Sequence, residues 1–425
     1  MRVLSIGSTG PMVQLLQLAL NRAGFGELAL DGLFGPATQR ALTAFQTAAG
    51  LIADGIAGPL THRALRLWYT GYRLHTLCRG ESFWLLSRRY GSSVDAIRTA
   101  NPGLDPERLP AGMQIVVPLP FDVVPTEIAW FSELVGYCVQ GLSARYPFLR
   151  SASIGRSALN RELWSLTAGS GEYRVLYNAE HHANEWITTP LLLRFLEELA
   201  GAFAAGGELD GLSAAELLTQ STLCLVPAVN PDGMDLVTGE LQSGAPYEEA
   251  LRLARSYPRF AFPAGWKANL EGIDLNLQYP AGWERAREIK FSQGVVSPAP
   301  ADYVGAAPLE APEARALYDL TRRFSPALIE AWHTQGEVIY WKYLDFEPPM
   351  SRALAARFAA VSGYAAEETP YAAGFAGYKD WFIQDYNRPG FTIEAGKGVN
   401  PLPISDFDAI YRRCRPILTL GLLKE

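Results

Sequence analysis

Three apolar, β-branched runs in the latter part of this chain each lead to side chains that can bind a proton or a metal. Tyr173-Arg-Val-Leu-Tyr177 leads into Asn178-Ala-Glu-His-His-Ala-Asn-Glu-Trp186. Leu328-Ile-Glu-Ala-Trp-His333 ends on a histidine, and Phe391-Thr-Ile-Glu394 ends on a glutamate. Such runs read as buried strands. Thr188 to Ala205, apolar at helical spacing, reads as the helix after the first of them. Glu185 and His333 lie 148 residues apart, so only a folded sheet can assemble them. The strand-like runs Val175 to Ala179, Leu223 to Val229, Ala327 to Trp332, Val338 to Trp341 and Gly390 to Glu394 alternate with helical ones. The pattern predicts an α/β domain, a mixed sheet flanked by helices. Ligands in such sheets gather at the carboxyl ends of strands, and the candidate residues fall there.

Within the first crossover, His182 and Glu185 form a His-x-x-Glu pair. Imidazole nitrogen and carboxylate oxygen are ligands that zinc accepts, although two of them alone do not make a site. His181 competes with His182, and the three-residue spacing to Glu185 favours His182. Glu180 reads as a residue behind the site or at the surface. Asn230-Pro-Asp-Gly233 is above all a turn signal.

The first 70 residues carry an internal echo. Asp31-Gly-Leu-Phe-Gly-Pro-Ala-Thr-Gln-Arg-Ala-Leu42 returns 23 residues later as Asp54-Gly-Ile-Ala-Gly-Pro-Leu-Thr-His-Arg-Ala-Leu65. Asp-Gly makes a turn and Gly-Pro opens a helix, where the missing proline N–H does no harm. Helices fit Val13 to Ala23, Pro36 to Ala49 and Pro59 to Tyr69, and His62 reads as a residue on a helix surface. This three-helix unit resembles the peptidoglycan-binding domain found beside bacterial wall hydrolases. Residues 72–118 read as strand, helix, helix, strand: Tyr72 to Leu77, Glu81 to Tyr90, Val94 to Ala100 and Gln114 to Val117. With Gly80-Glu-Ser-Phe-Trp-Leu-Leu and the Asn101-Pro-Gly-Leu-Asp105 turn, this small α+β (βααβ) unit resembles the lysin motif, which implies binding of N-acetylglucosamine in glycan strands. It departs from that motif at Cys78 and Arg79. His75 reads as solvent-facing. Pro118, Pro120 and Pro125 form a short stiff linker, which gives domains over residues 1–70, 71–119 and 120–425.

The net charge of −7 leaves no basic footprint for nucleic acid. Cys78, Cys138, Cys224 and Cys414 show no paired spacing and read as thiols of a reducing compartment. Gln14 and Gln17 interrupt the apolar positions near the N-terminus, so that stretch reads as an amphipathic helix and not a secretory signal. No apolar run reaches the length of a membrane span.

The ordered set His182-x-x-Glu185, Asn230-Pro-Asp-Gly233, Gly272-Ile-Asp-Leu-Asn276, strand-end His333 and strand-end Glu394 resembles the zinc carboxypeptidase family over nearly all of residues 125–425. The resemblance implies one Zn2+ per chain, held by His182, Glu185 and His333, with a fourth position open for water. It implies Glu394 as the group that takes a proton from that water and returns it to the leaving amine. Asp274 would orient a ligand histidine. Asn276 is carried over as a substrate contact. An arginine expected near Trp266-Lys-Ala-Asn269 to polarise the carbonyl stands as Lys267, a point charge without the guanidinium fork.

Two departures bear on the substrate. Members that trim a C-terminal residue place an arginine after the Asn of Gly-x-Asp-x-Asn, where it grips the terminal carboxylate; here it is Leu277. A charged hydrogen bond is worth roughly 1.5–3 kcal/mol, so ordinary carboxypeptidase action is disfavoured. The basic residue expected after Ala183 is also missing, replaced by Asn184. Trp266-Lys-Ala-Asn269, Asp274-Leu-Asn-Leu-Gln-Tyr-Pro280 and His333-Thr-Gln-Gly-Glu-Val-Ile-Tyr-Trp341 resemble the γ-D-glutamyl-meso-diaminopimelate peptidases of the same family. That implies peptidoglycan as partner, its glycan strands on residues 1–119 and its stem peptide at the catalytic site. Lys379 and Arg388 are candidates to meet the substrate's carboxylates. Tyr371, in a Gly- and Ala-rich loop, is a candidate hydrogen-bond donor. A carboxypeptidase acting on another residue of wall peptides, and a non-catalytic wall or spore-layer protein, are the alternatives. The expected location is cytoplasmic synthesis in a mother cell or spore, with action on the wall.

Overall fold

The computed structural model describes residues 2–424. The chain forms two compact units, one through residue 129 together with 133–150, the other residues 130–132 together with those from 151 onward.

In the first unit, helices α1 (Pro11–Arg22), α2 (Pro36–Ala48) and α3 (Pro59–Thr70) each open with proline after a glycine. The sequence echo is a repeated hydrogen-bond network. Buried Gln17 donates from Nε2 to Asp31 Oδ1 at 2.8 Å and to Thr38 Oγ1 at 3.3 Å, while its Oε1 accepts from the Gly32 N–H at 3.0 Å. Gln46 repeats this with Asp54 at 2.9 Å, Thr61 at 3.2 Å and the Gly55 N–H at 2.9 Å. Each Asp-Gly turn is thus held by one buried amide from the preceding helix. Replacing Gln46 with Ala strands the Gly55 N–H, and a buried unsatisfied donor costs about 1–3 kcal/mol. A lowered melting midpoint of this unit in thermal denaturation is the expected result.

His62 is not on the surface. It is fully buried, with Nδ1 3.0 Å from the Tyr69 hydroxyl and Nε2 3.1 Å from the Arg2 carbonyl. Strands β1 (Tyr72–Thr76) and β2 (Gln114–Pro118) pair antiparallel across α4 (Phe83–Tyr90) and α5 (Val94–Ala100), closing a core of Leu77, Phe83, Leu86, Ile97, Ile115 and Val117. His75 is also not free in solvent, because its ring bonds Glu81 at 2.7 Å and Tyr90 at 3.1 Å. Helix α6 (Ser132–Arg145) groups mainly with this unit, whereas a division at residue 119 assigns it to the last domain. Its Gly141 lies against the Thr70 carbonyl, where a Cβ would come within 2.2 Å.

The second unit is built on β3 (Arg150–Arg156), β4 (Glu162–Gly169), β5 (Tyr173–Ala179), β8 (Ser221–Val226), β9 (Leu328–His333), β10 (Val338–Tyr340), β11 (Ala365–Glu367) and β12 (Gly390–Glu394). A two-residue hairpin of β6 (Glu208–Leu209) and β7 (Leu212–Ser213) stands apart. The eight strands form one mixed sheet in the order β11-β10-β12-β9-β5-β8-β4-β3. Strands β8, β5, β9 and β12 run parallel at its centre, β4 is antiparallel to β8, and β10 is antiparallel to β12 and parallel to β11. The five expected runs are all strands. The fully buried pattern of β9 is that of a strand covered on both faces. Helix α7 (Thr188–Ala205) buries Leu191, Leu192, Phe195, Leu196 and Leu199. A second core joins Leu176, Ile329 and Ala331 to Trp381, Phe382 and Ile383 of the helix Tyr378–Tyr386. Among the described residues no helix is long and apolar enough to cross a membrane, and no disulfide joins the cysteines.

Candidate active site

The parallel run of β5, β9 and β12 brings three strand ends to one edge of the sheet. Ala179 lies opposite Trp332, and His333 opposite Glu394. After β5 the chain turns at Glu180, which is fully buried with φ 59°, and makes a single 3-10 turn over Ala183–Glu185. Asn230 does more than start a turn. Its Oδ1 accepts from the Gly233 N–H to cap the helix Pro231–Thr238. Its Nδ2 donates to the His181 and Ala268 carbonyls at 3.1 and 3.0 Å, tying the crossover to the segment that carries Lys267.

His182, Glu185 and His333 each offer a ligand atom, all within 4.8 Å of one another. Glu185 Oε1 lies 2.9 Å from His182 Nδ1, and Oε2 lies 2.8 Å from His333 Nδ1. The far nitrogen of His182, Nε2, is 3.2 Å from Asp274 Oδ1. A proton held there by the carboxylate leaves a bare lone pair on Nδ1, the tautomer a metal ligand needs. Two imidazoles and one carboxylate converging in this way fit a zinc ion. His181 is set apart: it is fully buried, bonds the Tyr279 hydroxyl at 3.0 Å and stacks on the His333 ring at 5.6 Å. It packs behind the site, while His182 lines the cleft.

Burial would raise the Asp274 carboxyl, but the charge and hydrogen bond of His182, the Asp302 N–H and Lys267 hold it well below the usual range. Burial likewise opposes the charge on Glu185, and His182, Lys267 and His333 outweigh it. Lys267 Nζ is 3.1 Å from Glu185 Oε1, which holds the ammonium firmly charged. Glu394 goes the other way. Burial, then the nearby Glu185 charge, push its carboxyl up against the pull of His333, Lys267 and His182. An Asp274→Asn variant presents an amide where the carboxylate fixes His182, and zinc affinity measured by competition with a chelator is expected to fall roughly 10–100-fold.

His182, Lys267, Asp274 and Glu394 line a cleft of about 260 Å³ that also includes Asn276, Leu277, Tyr340, Thr392 and the loop residues Thr369, Pro370 and Ala373. Asn276 reaches it, with Oδ1 accepting from the Tyr378 N–H at 3.0 Å. Leu277 gives the wall an apolar patch where a carboxylate-gripping arginine is absent. Lys379 lines the cleft but is already engaged by Asp380, Thr369 and the Lys342 carbonyl. Tyr371 does not line it: the ring is 61% exposed and packs on Phe375. Arg388 is not brought to the site. It precedes β12, whose far end carries Glu394, and donates to the Ser325 and Pro326 carbonyls. Sequence reasoning missed Lys290 and Asp302, which line the cleft as an ion pair. They sit at a helix end and in a loop, with no spacing to flag them.

The chain matches the zinc carboxypeptidase family over residues 137–413, the peptidoglycan binding domain over 9–65 and the LysM domain over 75–118. It is 46% identical over 287 residues to gamma-D-glutamyl-L-diamino acid endopeptidase 1 of Lysinibacillus sphaericus, covering 67% of this chain and 70% of that protein. It is 41% identical over 281 residues to the uncharacterized protein YqgT of Bacillus subtilis (strain 168), covering 65% and 73%. The fold is shared with carboxypeptidase A from Helicoverpa armigera at TM-score 0.52 and 18% identity, covering 70% of this chain and 74% of that one. Bovine thrombin-activatable fibrinolysis inhibitor gives TM-score 0.51 and 17% identity, covering 70% and 96%.

Proposed function

Because the chain belongs to the zinc carboxypeptidase family, we propose that it is a zinc-dependent peptidase of peptidoglycan stem peptides, hydrolysing the γ-D-glutamyl–meso-diaminopimelate amide. The observation that carries this reading is the His182, Glu185 and His333 cluster, with Glu394 on the adjoining strand and Leu277 in place of a carboxylate grip. The relative from Lysinibacillus sphaericus, named for an amide of the same kind, supports the substrate class.

His182, Glu185 and His333 would hold the ion. When bound, zinc polarises the scissile carbonyl and lowers the pKa of an attacking water. Glu394 accepts the proton of that water and delivers it to the leaving nitrogen, and its raised pKa makes it the stronger base for the first of these transfers. Lys267, on the segment tied by Asn230 and 3.1 Å from Glu185 Oε1, lines the cleft and supplies a positive charge to the carbonyl oxygen as its charge grows. With Leu277 in the wall, binding does not depend on a terminal carboxylate, which suits cleavage within a stem peptide. The two small modules, matched over residues 9–65 and 75–118, hold the glycan strands. Action on the wall after synthesis in a mother cell or spore accommodates both halves of the chain.

Incubating the zinc-loaded protein with L-alanyl-γ-D-glutamyl-meso-diaminopimelate should release free diaminopimelate. An intact tripeptide with zinc present rules this substrate out.

A further inference from the structure

The cleft contains two lysine–aspartate pairs that this chemistry leaves unused. Lys379 and Asp380 meet at 2.5 Å with both side chains 4% exposed. Lys379 Nζ also donates to the Lys342 carbonyl at 2.8 Å and to Thr369 Oγ1 at 3.2 Å, so its three donors are all engaged. That pair braces the loop and helix around the cleft.

Lys290 and Asp302 also meet at 2.5 Å, but their side chains are 16% and 33% exposed. Among the described residues Asp302 is the hydrogen-bond partner of Lys290 Nζ, which leaves donors on the ammonium for a ligand. Asp302 stands at φ 70°, a region that non-glycine residues seldom occupy and that recurs at ligand clamps. It is held there by its own N–H, which donates to Asp274 Oδ2 at 3.1 Å. The other oxygen of Asp274 faces His182. The pair is therefore fixed at a defined offset from the metal-binding cluster.

We infer that Lys290 and Asp302 recognise the free amino-acid end of the diamino residue whose other amine is the leaving group. This rests on the proposed cleavage of an amide to such a residue. The ammonium of that end meets Asp302 and its carboxylate meets Lys290. A zwitterion laid antiparallel on an ion pair alternates four charges, so each charge taken from water gains an opposite neighbour through charge-assisted hydrogen bonds. A lysine residue, which has the ammonium without the carboxylate, makes half of these contacts. The site thus selects diaminopimelate over lysine.

The test compares kcat/KM for L-alanyl-γ-D-glutamyl peptides ending in meso-diaminopimelate, L-lysine or L-2-aminopimelate, the last having the distal carboxylate without the amine. The wild type should favour diaminopimelate over each of the others by about tenfold or more. Lys290→Met should bring the diaminopimelate-to-lysine ratio close to one, and Lys290→Arg should restore part of it. Asp302→Asn should collapse the diaminopimelate-to-aminopimelate ratio, which decides the matter even if Lys290→Met does not fold. Variants that cleave with both ratios at the wild-type value, or that lose all three substrates equally, overturn the inference while leaving the peptidase reading intact. A wild type that cleaves none of the three overturns that reading and this one with it.

Discussion

Glu394→Gln is expected to lower kcat on the stem tripeptide by about 10³-fold, within the range that positioned acid–base groups contribute, while zinc stays bound. The two halves of that expectation come from different parts of the site. Glu394 stands outside the three-ligand cluster, so removing its charge takes no ligand from the ion. The amide matches the carboxylate in shape, so packing at the end of β12 is kept. What is lost is a group able to take a proton and give it back. Burial and the Glu185 charge push the Glu394 carboxyl upward, which makes its carboxylate a stronger base towards a bound water. Zinc content by atomic absorption and kcat by amine release check the two halves separately. A variant that keeps zinc and more than a tenth of the rate assigns proton transfer elsewhere.

Removing zinc should abolish hydrolysis, and adding it back should restore the rate. His333→Ala should prevent that recovery, since it removes one of three ligands. The pH dependence of loading follows from His182. Burial works against its protonation, but the Glu185 carboxylate and then Asp274 outweigh burial and Lys267, lifting it from 6.5 to about 9 in the metal-free protein. A histidine raised in this way stabilises the metal-free fold fully below pH 6.5 and loses that contribution as pH rises through about 9. Zinc must displace the proton, so affinity should weaken about tenfold for each pH unit below about 9. Competition titrations at three pH values check this, and an affinity that does not change between pH 6 and 8 contradicts it.

The parts of this architecture that could be read from sequence are those where one local pattern has one physical outcome. Buried parallel strands are continuous apolar runs, so β5, β9 and β12 were visible, and the acid or imidazole at each end marked the site. Strands β3 and β4 were not. Arg150-Ser-Ala-Ser-Ile-Gly-Arg156 is mostly exposed and, at the sheet edge, carries no apolar run. His62 looked like a helix surface residue because only the folded chain places Tyr69 and the Arg2 carbonyl around it. Arg388 was misplaced by nearness in sequence. At about 3.3 Å per residue, the strand sets it roughly 20 Å from Glu394, at the opposite edge of the sheet. Lys379 lines the cleft, but its engagement by Asp380 and Thr369 depends on contacts that spacing does not encode. Spacing alone does not show that the His181 ring packs on Tyr279 and His333 while the His182 ring lines the cleft.

Mass spectrometry of the stem tetrapeptide L-alanyl-γ-D-glutamyl-meso-diaminopimelyl-D-alanine, digested by the zinc-loaded protein, tests the central claim most directly. Cleavage at the γ-D-glutamyl bond gives L-alanyl-D-glutamate and diaminopimelyl-D-alanine, the result this account predicts. Release of free D-alanine with the tripeptide left whole would contradict it, showing a carboxypeptidase that grips the chain end despite Leu277.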